Sequence, residues 1–415
     1  MNTDKNMSAG HAWIIWFLCA LFYFYVYVMR TSPSIMTTEL TRYFSLPDTK
    51  LDFLLGAYFY IYAPMQLVAG ILFDSYGSKK VLPISIFICI IGSLLFIQEN
   101  YYIALLGRII IGAGSAFGFV GVIYVATNWI SKKHFSLILG LTQTMGMLGV
   151  IFSMTAVKGL VQSYSWNSIW IIYIIVGAAL AIILIFIIPK RPKKLEIYDK
   201  GNRYEIVLNI AHILKNSNTL LVACVGGLFF MPTTVIALHW GVPFIKSLYG
   251  IEFSEAINVM RFVFIGWIFG CPIIGKLDDL LKRHKLLMMA GLLSTLIFFC
   301  IFVYVNSNIN TARILLFLIG FFSSAQIISF RIAIESNPIH FKGSVIGVTN
   351  FIIFLWTAIL IPVFGYYFEH VLLNDSDFNL VKDYRDTMIL VPLALVIAII
   401  LLLFVRKKYY RRTDK

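Results

Sequence analysis

Four polar residues in the first long apolar stretch, Tyr23, Tyr27, Arg30 and Ser34, fall at i, i+4, i+7 and i+11. That is the spacing of one face of an α-helix. A guanidinium on such a face holds a carboxylate or phosphate through two parallel N–H···O bonds, and neighbouring phenol hydroxyls add single hydrogen bonds to the same anion. Arg30 lies about 25 Å along the helix from Trp13 at roughly 1.5 Å per residue, in the outer half of a layer that the stretch crosses. An arginine in hydrocarbon costs several kcal/mol unless a partner or water offsets it. The 20 Asp and Glu all fall in polar segments or at the ends of apolar stretches. Arg30 therefore reads as a group that takes its counter-ion from a bound ligand. The competing reading is structural: the side chain snorkels to outer headgroups or holds tyrosine hydroxyls.

Other polar residues share this depth. Tyr58, Tyr62 and Gln66 form one helical face around Pro64, which frees a backbone carbonyl and permits a kink. Arg108 lies in the fourth apolar stretch. In the second half of the chain Thr233, His239, Ser324, Gln326, Asn350 and Trp356 are the polar or amphipathic candidates, each equally readable as a helix-packing contact. His239 is the one candidate for carrying a proton, because an imidazole titrates in the physiological range. Arg331 and Glu335, at i and i+4, are expected to pair. No nucleophile and base arrangement, metal-ligand cluster or phosphate-binding glycine loop stands out, so no enzyme, cofactor or metal is expected.

Composition decides what positions these residues. The chain of 415 residues is 60% hydrophobic and 13% charged, with mean hydropathy +0.85. A soluble domain carries about twice that charge. The fold class expected is an all-α membrane protein of twelve transmembrane helices in two six-helix pseudo-symmetric halves. The apolar stretches lie near 12–37, 51–73, 80–98, 102–130, 136–159, 166–188, 219–244, 255–277, 285–305, 309–334, 343–367 and 387–405, each long enough for about 30 Å of hydrocarbon. The net charge of +14 points away from nucleic acid, since most of the Lys and Arg fall on one set of loops. That asymmetry places both termini in the cytoplasm of a multi-pass protein of the cell's inner membrane. Basic runs Lys190 to Lys194 and Arg406 to Arg412 then meet anionic membrane lipid. The five cysteines are singly spaced packing residues, and the first helix is expected to be retained rather than cleaved. Polar, basic residues 190–218 link an N-terminal half, 1–189, to a C-terminal half, 219–415, with a surface helix expected over Arg203 to Lys215. A second polar stretch, Glu369 to Asp386, is expected outside the membrane.

A repeat supports the two halves. Gly70-Ile71-Leu72-Phe73-Asp74-Ser75-Tyr76-Gly77-Ser78-Lys79-Lys80 returns 205 residues on (275 − 70) as Gly275-Lys276-Leu277-Asp278-Asp279-Leu280-Leu281-Lys282-Arg283-His284-Lys285. Only Gly77 lacks a counterpart, because Lys282 stands there. Arg108 maps onto Arg313 at the same offset, and His134-Phe135 onto His340-Phe341 one residue later.

These features resemble the major facilitator superfamily. Its loop pattern of Gly, any, Leu, any, Asp, two residues, Gly, any and two basic residues is met by Gly70, Leu72, Asp74, Gly77, Lys79 and Lys80. Arg108 and Gly112 meet a further family spacing, whereas the helix-5 Gly-Pro pair of antiporters is absent from Gly146-Met147-Leu148-Gly149. The resemblance implies alternating access by a monomer, with substrate bound between the halves and lined by the first, fourth, seventh and tenth helices. It implies that Gly70, Asp74, Gly77, Lys79, Lys80 and Asp279 gate one side. The family's helix-4 arginine often braces neighbours, so Arg108 is read as a brace before a binding group. Physically, Asp74 ends its helix where a carboxylate accepts N–H bonds from another helix's N-terminus, and Lys79 and Lys80 are placed to pair across the gap between halves. The function expected is secondary transport of a small polar metabolite bearing a carboxylate: an amino acid, short peptide or organic acid. A coupled proton ranks level with facilitated diffusion or exchange. The alternatives are a sugar-phosphate or organic-anion exchanger and a transporter-like ligand sensor.

Overall fold

Runs of apolar residues longer than a soluble helix needs are stable as helices in lipid because each satisfies its backbone polar groups internally. The computed structural model describes residues 9–45, 47–189, 210–338, 341–374 and 380–406. It contains twelve helices long and apolar enough to cross a membrane: α1 Gly10–Ile35, α2 Phe53–Tyr76, α3 Ser78–Phe96, α4 Tyr101–Trp129, α5 Phe135–Ser163, α6 Trp166–Ile187, α7 Ser217–Tyr249, α8 Phe253–Leu281, α9 His284–Tyr304, α10 Ile309–Glu335, α11 Lys342–His370 and α12 Leu380–Phe404.

Several helices are irregular where their sequence weakens the regular ladder. In α7 the chain widens to a π-helix over Pro232–Trp240; Pro232 brings no N–H, and Thr233 and Thr234 both donate to the Phe230 carbonyl at 3.0 Å. α5 widens over Ser153–Val157, and α10 tightens to a 3-10 turn over Ser324–Ile327.

Two segments differ from expectation. The described residues of the polar stretch Glu369 to Asp386 are helical: one helix continues to Asn374 and a second begins at Leu380. The twelfth span thus starts seven residues (387 − 380) before the apolar run does, and Asp383 in its first turn is buried. Hydropathy alone misplaced this boundary because the segment is polar on average, although Asp383, Tyr384 and Thr387 are buried while Lys382 and Asp386 are exposed. α7 likewise runs on to Tyr249, where Gly250 in the left-handed region ends it. Of the expected linker helix, Ile210 to Lys215 is helical. Arg203 to Asn209, the run Lys190 to Lys194, Lys407 to Arg412 and His340 lie outside the described residues.

The chain divides into two compact units. One holds the described residues of Met1–Lys133, Met145–Ile213 and Pro338–Phe351, and the other those of His134–Thr144, Leu214–Asn337 and Ile352–Lys415. The units therefore follow the sequence halves except for an exchange: the first turns of α5 cluster with the second unit and those of α11 with the first.

Within the first unit α3 and α4 meet at small residues. A methyl group added at Gly107 would lie 2.6 Å from the Gly92 carbonyl oxygen and 2.9 Å from the Leu95 carbonyl carbon. Backbone cannot yield there, so Gly107→Ala is expected to destabilise by about 1–3 kcal/mol, the usual range for overpacking. Thermal unfolding of the purified variant measures it. The repeat is visible in packing as well. Gly112 of α4 rests on Tyr58 of α2, and Gly320 of α10 rests on Val263 of α8, the position 205 residues after Tyr58 (263 − 58).

Candidate functional site

Arg30 projects from α1 into a nest of aromatic rings in the first unit. Its guanidinium carbon lies 4.6 Å from the centre of the Phe59 ring, 5.2 Å from Tyr27 and 5.8 Å from Tyr62. Cation–π attraction of this kind strengthens as water is removed, and Arg30 is only 5% exposed. Tyr23 donates to the Tyr27 hydroxyl at 3.2 Å, and the rings of Tyr58 and Tyr62 stack with centres 5.4 Å apart. Gly146 on α5 allows this closeness: a methyl there would lie 2.8 Å from the Tyr23 ring.

The same nest contains Arg108, but in a different role. Its guanidinium sits 4.9 Å from the Tyr58 ring centre. One nitrogen donates to the Met29 carbonyl at 3.0 Å and another to the Arg30 carbonyl at 2.9 Å. Met29 is four residues before Pro33, which has no N–H to give it. Arg108 thus replaces the missing helix bond and fixes the stretch of α1 that carries Arg30.

Tyr23, Tyr27, Arg30, Tyr58, Tyr62 and Arg108 are therefore brought together from three helices. Gln66 is buried one turn further along α2, where its carbonyl faces Gly347. Ser34 shares that helical face but is exposed, one residue before the end of α1 at Ile35. Phe59 was missed, and its signal was weak: it stands three residues before Tyr62, one step off the tyrosine face.

The C-terminal candidates are divided between the two units. In the second unit the Thr233 hydroxyl accepts from Trp267 Nε1 at 2.8 Å, Ser324 donates to the Phe321 carbonyl at 2.6 Å, and Trp356 packs on Gly227. Gln326 is buried and His239 is exposed in the π-helical segment. Asn350 belongs to the first unit, buried, with Nδ2 making no hydrogen bond among the described residues.

The loop motif builds two related contacts. Asp74 accepts from the backbone N–H groups of Gly343 at 2.9 Å and Ser344 at 2.7 Å, and from the Ser344 hydroxyl at 2.7 Å. These are the otherwise unsatisfied donors at the start of α11. Gly70 lies against Gly343, where a methyl would come 2.8 Å from Ser344 Cα. In the second unit Asp279 accepts from the N–H groups of Ser136 at 3.1 Å and Leu137 at 2.9 Å, at the start of α5. Gly275 lies against Ser136 as Gly70 lies against Gly343.

The second contact carries more charge. Arg331 donates to Asp279 at 2.9 Å and to the Ser136 hydroxyl at 3.1 Å, and pairs with Glu335. Asp278, fully buried, accepts from the Ser136 hydroxyl at 2.6 Å and lies 2.7 Å from His284 Nδ1. Only the doubled Asp hinted at that residue in the sequence.

One expectation is corrected. Lys79 does not reach across to the other half but donates to the Ile188 carbonyl at 2.8 Å, at the end of α6. The last carbonyls of a helix lack partners and attract a cation, and α6 ends beside the first turn of α3. Lys80 is exposed. The bridging lysine is instead Lys342 of α11, which donates to the Thr127 carbonyl of α4 at 2.8 Å. Gly77, at φ 72°, supplies the left-handed turn between α2 and α3.

Twelve apolar helices in two related sets, each set's second helix capping the fifth helix of the other, define a polytopic membrane protein of the carrier type. The family model described as Major Facilitator Superfamily matches residues 16–361, and the chain belongs to that superfamily. Among curated proteins it is 24% identical to the probable sulfoacetate transporter of Cupriavidus necator over 42% of this chain and 41% of that protein. It is also 24% identical to the probable galactarate/D-glucarate transporter of Bacillus subtilis, over 44% of this chain and 41% of that one. The matches thus span about two fifths of these relatives' length. Among solved structures, the transporter FucP in the outward conformation aligns with TM-score 0.74 at 15% identity, covering 96% of this chain and all of that one. The proton:xylose symporter XylE aligns with TM-score 0.72 at 14% identity, over 96% of each chain. At such identities these likenesses establish the fold alone.

Proposed function

We propose that this chain is a secondary transporter that moves a small organic anion across the inner membrane by alternating access of residues 1–189 against residues 219–415, joined by the linker 190–218. Both termini face the cytoplasm, and the working form is a monomer. The observation that carries the substrate class is Arg30: a buried guanidinium among tyrosines 23, 27 and 62, its backbone held by Arg108. Such a group binds a carboxylate, sulfonate or phosphate more strongly than it would in water, because the site is dry. Two relatives are named for organic acids, sulfoacetate and galactarate or D-glucarate, which agrees with that chemistry. The Asp74 and Asp279 contacts act as latches for one of the alternating states. His239 is the group proposed to carry a coupled proton.

Thermal stability of the purified protein against a panel of sugar acids, sulfonated acids, amino acids, sugar phosphates and neutral sugars tests the reading. A ligand at 100 times its dissociation constant is expected to add about 2.7 kcal/mol. The expected result is stabilisation by an organic acid that disappears in Arg30→Gln. Stabilisation by neutral sugars alone, or an unchanged response in Arg30→Gln, would overturn the anion assignment.

A further inference from the structure

The turn between α8 and α9 places a long side chain where its repeat partner has none. Gly77 adopts φ 72°, and Lys282, the equivalent residue (77 + 205), adopts φ 53°. Glycine enters this left-handed region freely, whereas a residue with a Cβ does so at a cost. The Lys282 backbone is nonetheless fixed there, its N–H donating to the Asp278 carbonyl at 3.0 Å.

The side chain lines a cavity of about 680 Å³ between this turn, the first turns of α9, the last turn of α10 and the end of α12. That volume lies in the range of small-molecule sites, about 300–1,000 Å³. All these elements belong to the second unit. The rim is basic. Lys282, Arg283 and Arg406 line it, and their side chains make no hydrogen bond or ion pair among the described residues. Arg406 is held in place by its backbone, which exchanges two bonds with the Asn218 side chain at 2.9 and 3.0 Å. Lys285 anchors the end of α12 by donating to the Leu403 and Val405 carbonyls at 2.7 and 3.0 Å. The lone carboxylate in the lining, Glu335, is already paired with Arg331, so it does not neutralise the rim. The lining also includes the apolar Leu286, Met289 and Ile332, of which Leu286 is exposed.

A lining that joins basic and apolar side chains selects a molecule with one anionic end and one greasy end. We propose that this cavity binds a phosphate-bearing amphiphile, its phosphate on Lys282, Arg283 and Arg406 and its apolar body on Leu286, Met289 and Ile332. Two sources supply that chemistry: an anionic phospholipid of the adjoining leaflet, or a soluble phosphate compound with a ring or chain. The site is separate from Arg30, and the assignment does not depend on what the protein carries.

The test compares the full chain with the double variant Lys282→Gly, Arg406→Gln. Lys282→Gly removes a charge while relieving the left-handed backbone, so this change is expected to preserve folding and decides alone if Arg406→Gln fails to fold. Both proteins are placed in phosphatidylcholine nanodiscs, and thermal stability is titrated with phosphatidylglycerol in the disc, or with ATP or inorganic phosphate in solution. Each removed surface cation is expected to weaken binding roughly fivefold, so the double variant should bind more than tenfold more weakly. A variant-sensitive response to phosphatidylglycerol assigns the site to lipid. A variant-sensitive response to ATP assigns it to a soluble phosphate compound, and inorganic phosphate acting as well as ATP overturns the amphiphile assignment. Equal responses of the two proteins, or no response to any probe, overturn the proposal.

Discussion

Asp74→Ala is expected to lower transport at least tenfold in reconstituted vesicles while leaving the protein folded. The carboxylate accepts two backbone bonds and one hydroxyl bond from the first turn of α11. Hydrogen bonds to a charged group contribute about 1.5–3 kcal/mol each. Three together approach the roughly 5.5 kcal/mol that turns a 99:1 population into 1:99. Removing them while the rest of the α2 and α11 crossing stays intact should release one latched state rather than unfold the chain. Asp74→Asn keeps one acceptor oxygen but turns an N–H₂ toward another N–H, so it should fall between the alanine variant and the native protein. Amide hydrogen exchange at Gly343 and Ser344 reads the contact directly, and both amides should exchange faster in either variant. Unchanged exchange together with unchanged transport would reduce Asp74 to a bystander. The equivalent Asp279→Ala should do less, because Asp278 still holds the Ser136 hydroxyl and Arg331 retains Glu335.

The difference between the two latches shows where sequence reading runs out. The 205-residue repeat predicted that Asp74 and Asp279 occupy equivalent places, and the loop geometry made a helix N-terminus the natural partner for each. Which helix was another matter. That Asp74 caps α11 and Asp279 caps α5 depends on how chain segments hundreds of residues apart pack, and no local pattern encodes it. Lys79 illustrates the same gap. Its charge and position suggested a partner in the other half, but the nearest carbonyls without donors were those ending α6.

Depth was legible for Arg30, Tyr23 and Tyr27 because a single helix carries them at helical spacing. It was less legible for Phe59, which contributes through a neighbouring helix, and for the C-terminal candidates, of which the Thr233 and Ser324 hydroxyls are committed to bonds within their unit. Thr233 and Ser324 are examples: each is polar at depth, and each is used within its own bundle. Polarity in a membrane helix marks a residue that needs a partner, but the partner is as often a neighbouring helix as a ligand. The start of α12 was misjudged for a related reason. Asp383 and Arg385 look external on a hydropathy average, yet the helix begins before them and Asp383 is buried.

Prolines were the other signal that the sequence announced without resolving. Each interior proline leaves a carbonyl four residues earlier without its helix donor. Pro272 frees the Ile268 carbonyl, and the Thr144 hydroxyl of α5 takes it at 3.2 Å. Pro33 frees the Met29 carbonyl, and Arg108 takes it. In both places another helix completes the ladder, so the proline converts an internal bond into a tie between helices.

That conversion makes a sharp prediction for Arg108. The residue is 1% exposed, and Arg108→Gln would leave the Met29 carbonyl, which Pro33 cannot serve, without a donor in a dry site and would remove a second bond to the Arg30 carbonyl. Each unsatisfied buried group costs about 1–3 kcal/mol, so a loss of roughly 3–5 kcal/mol is expected once the missing volume is included. Ligand binding at Arg30 should weaken in parallel. Arg108→Lys retains charge but reaches one carbonyl in place of two, and its loss should be smaller. Bulk packing at Arg108 would produce the same ranking, so the deciding variant is Pro33→Ala. It restores an N–H opposite the Met29 carbonyl, and in the Arg108→Gln background it should recover about 1 kcal/mol or more of stability. In the native background, where Arg108 already fills that position, it should change little. Two groups that serve one carbonyl are coupled, and coupled residues depart from additivity by about 0.5–3 kcal/mol. Thermal unfolding of the four proteins closes the cycle. Strict additivity would mean that Arg108 supports α1 by filling space, and that the broken ladder at Pro33 is satisfied in some other way.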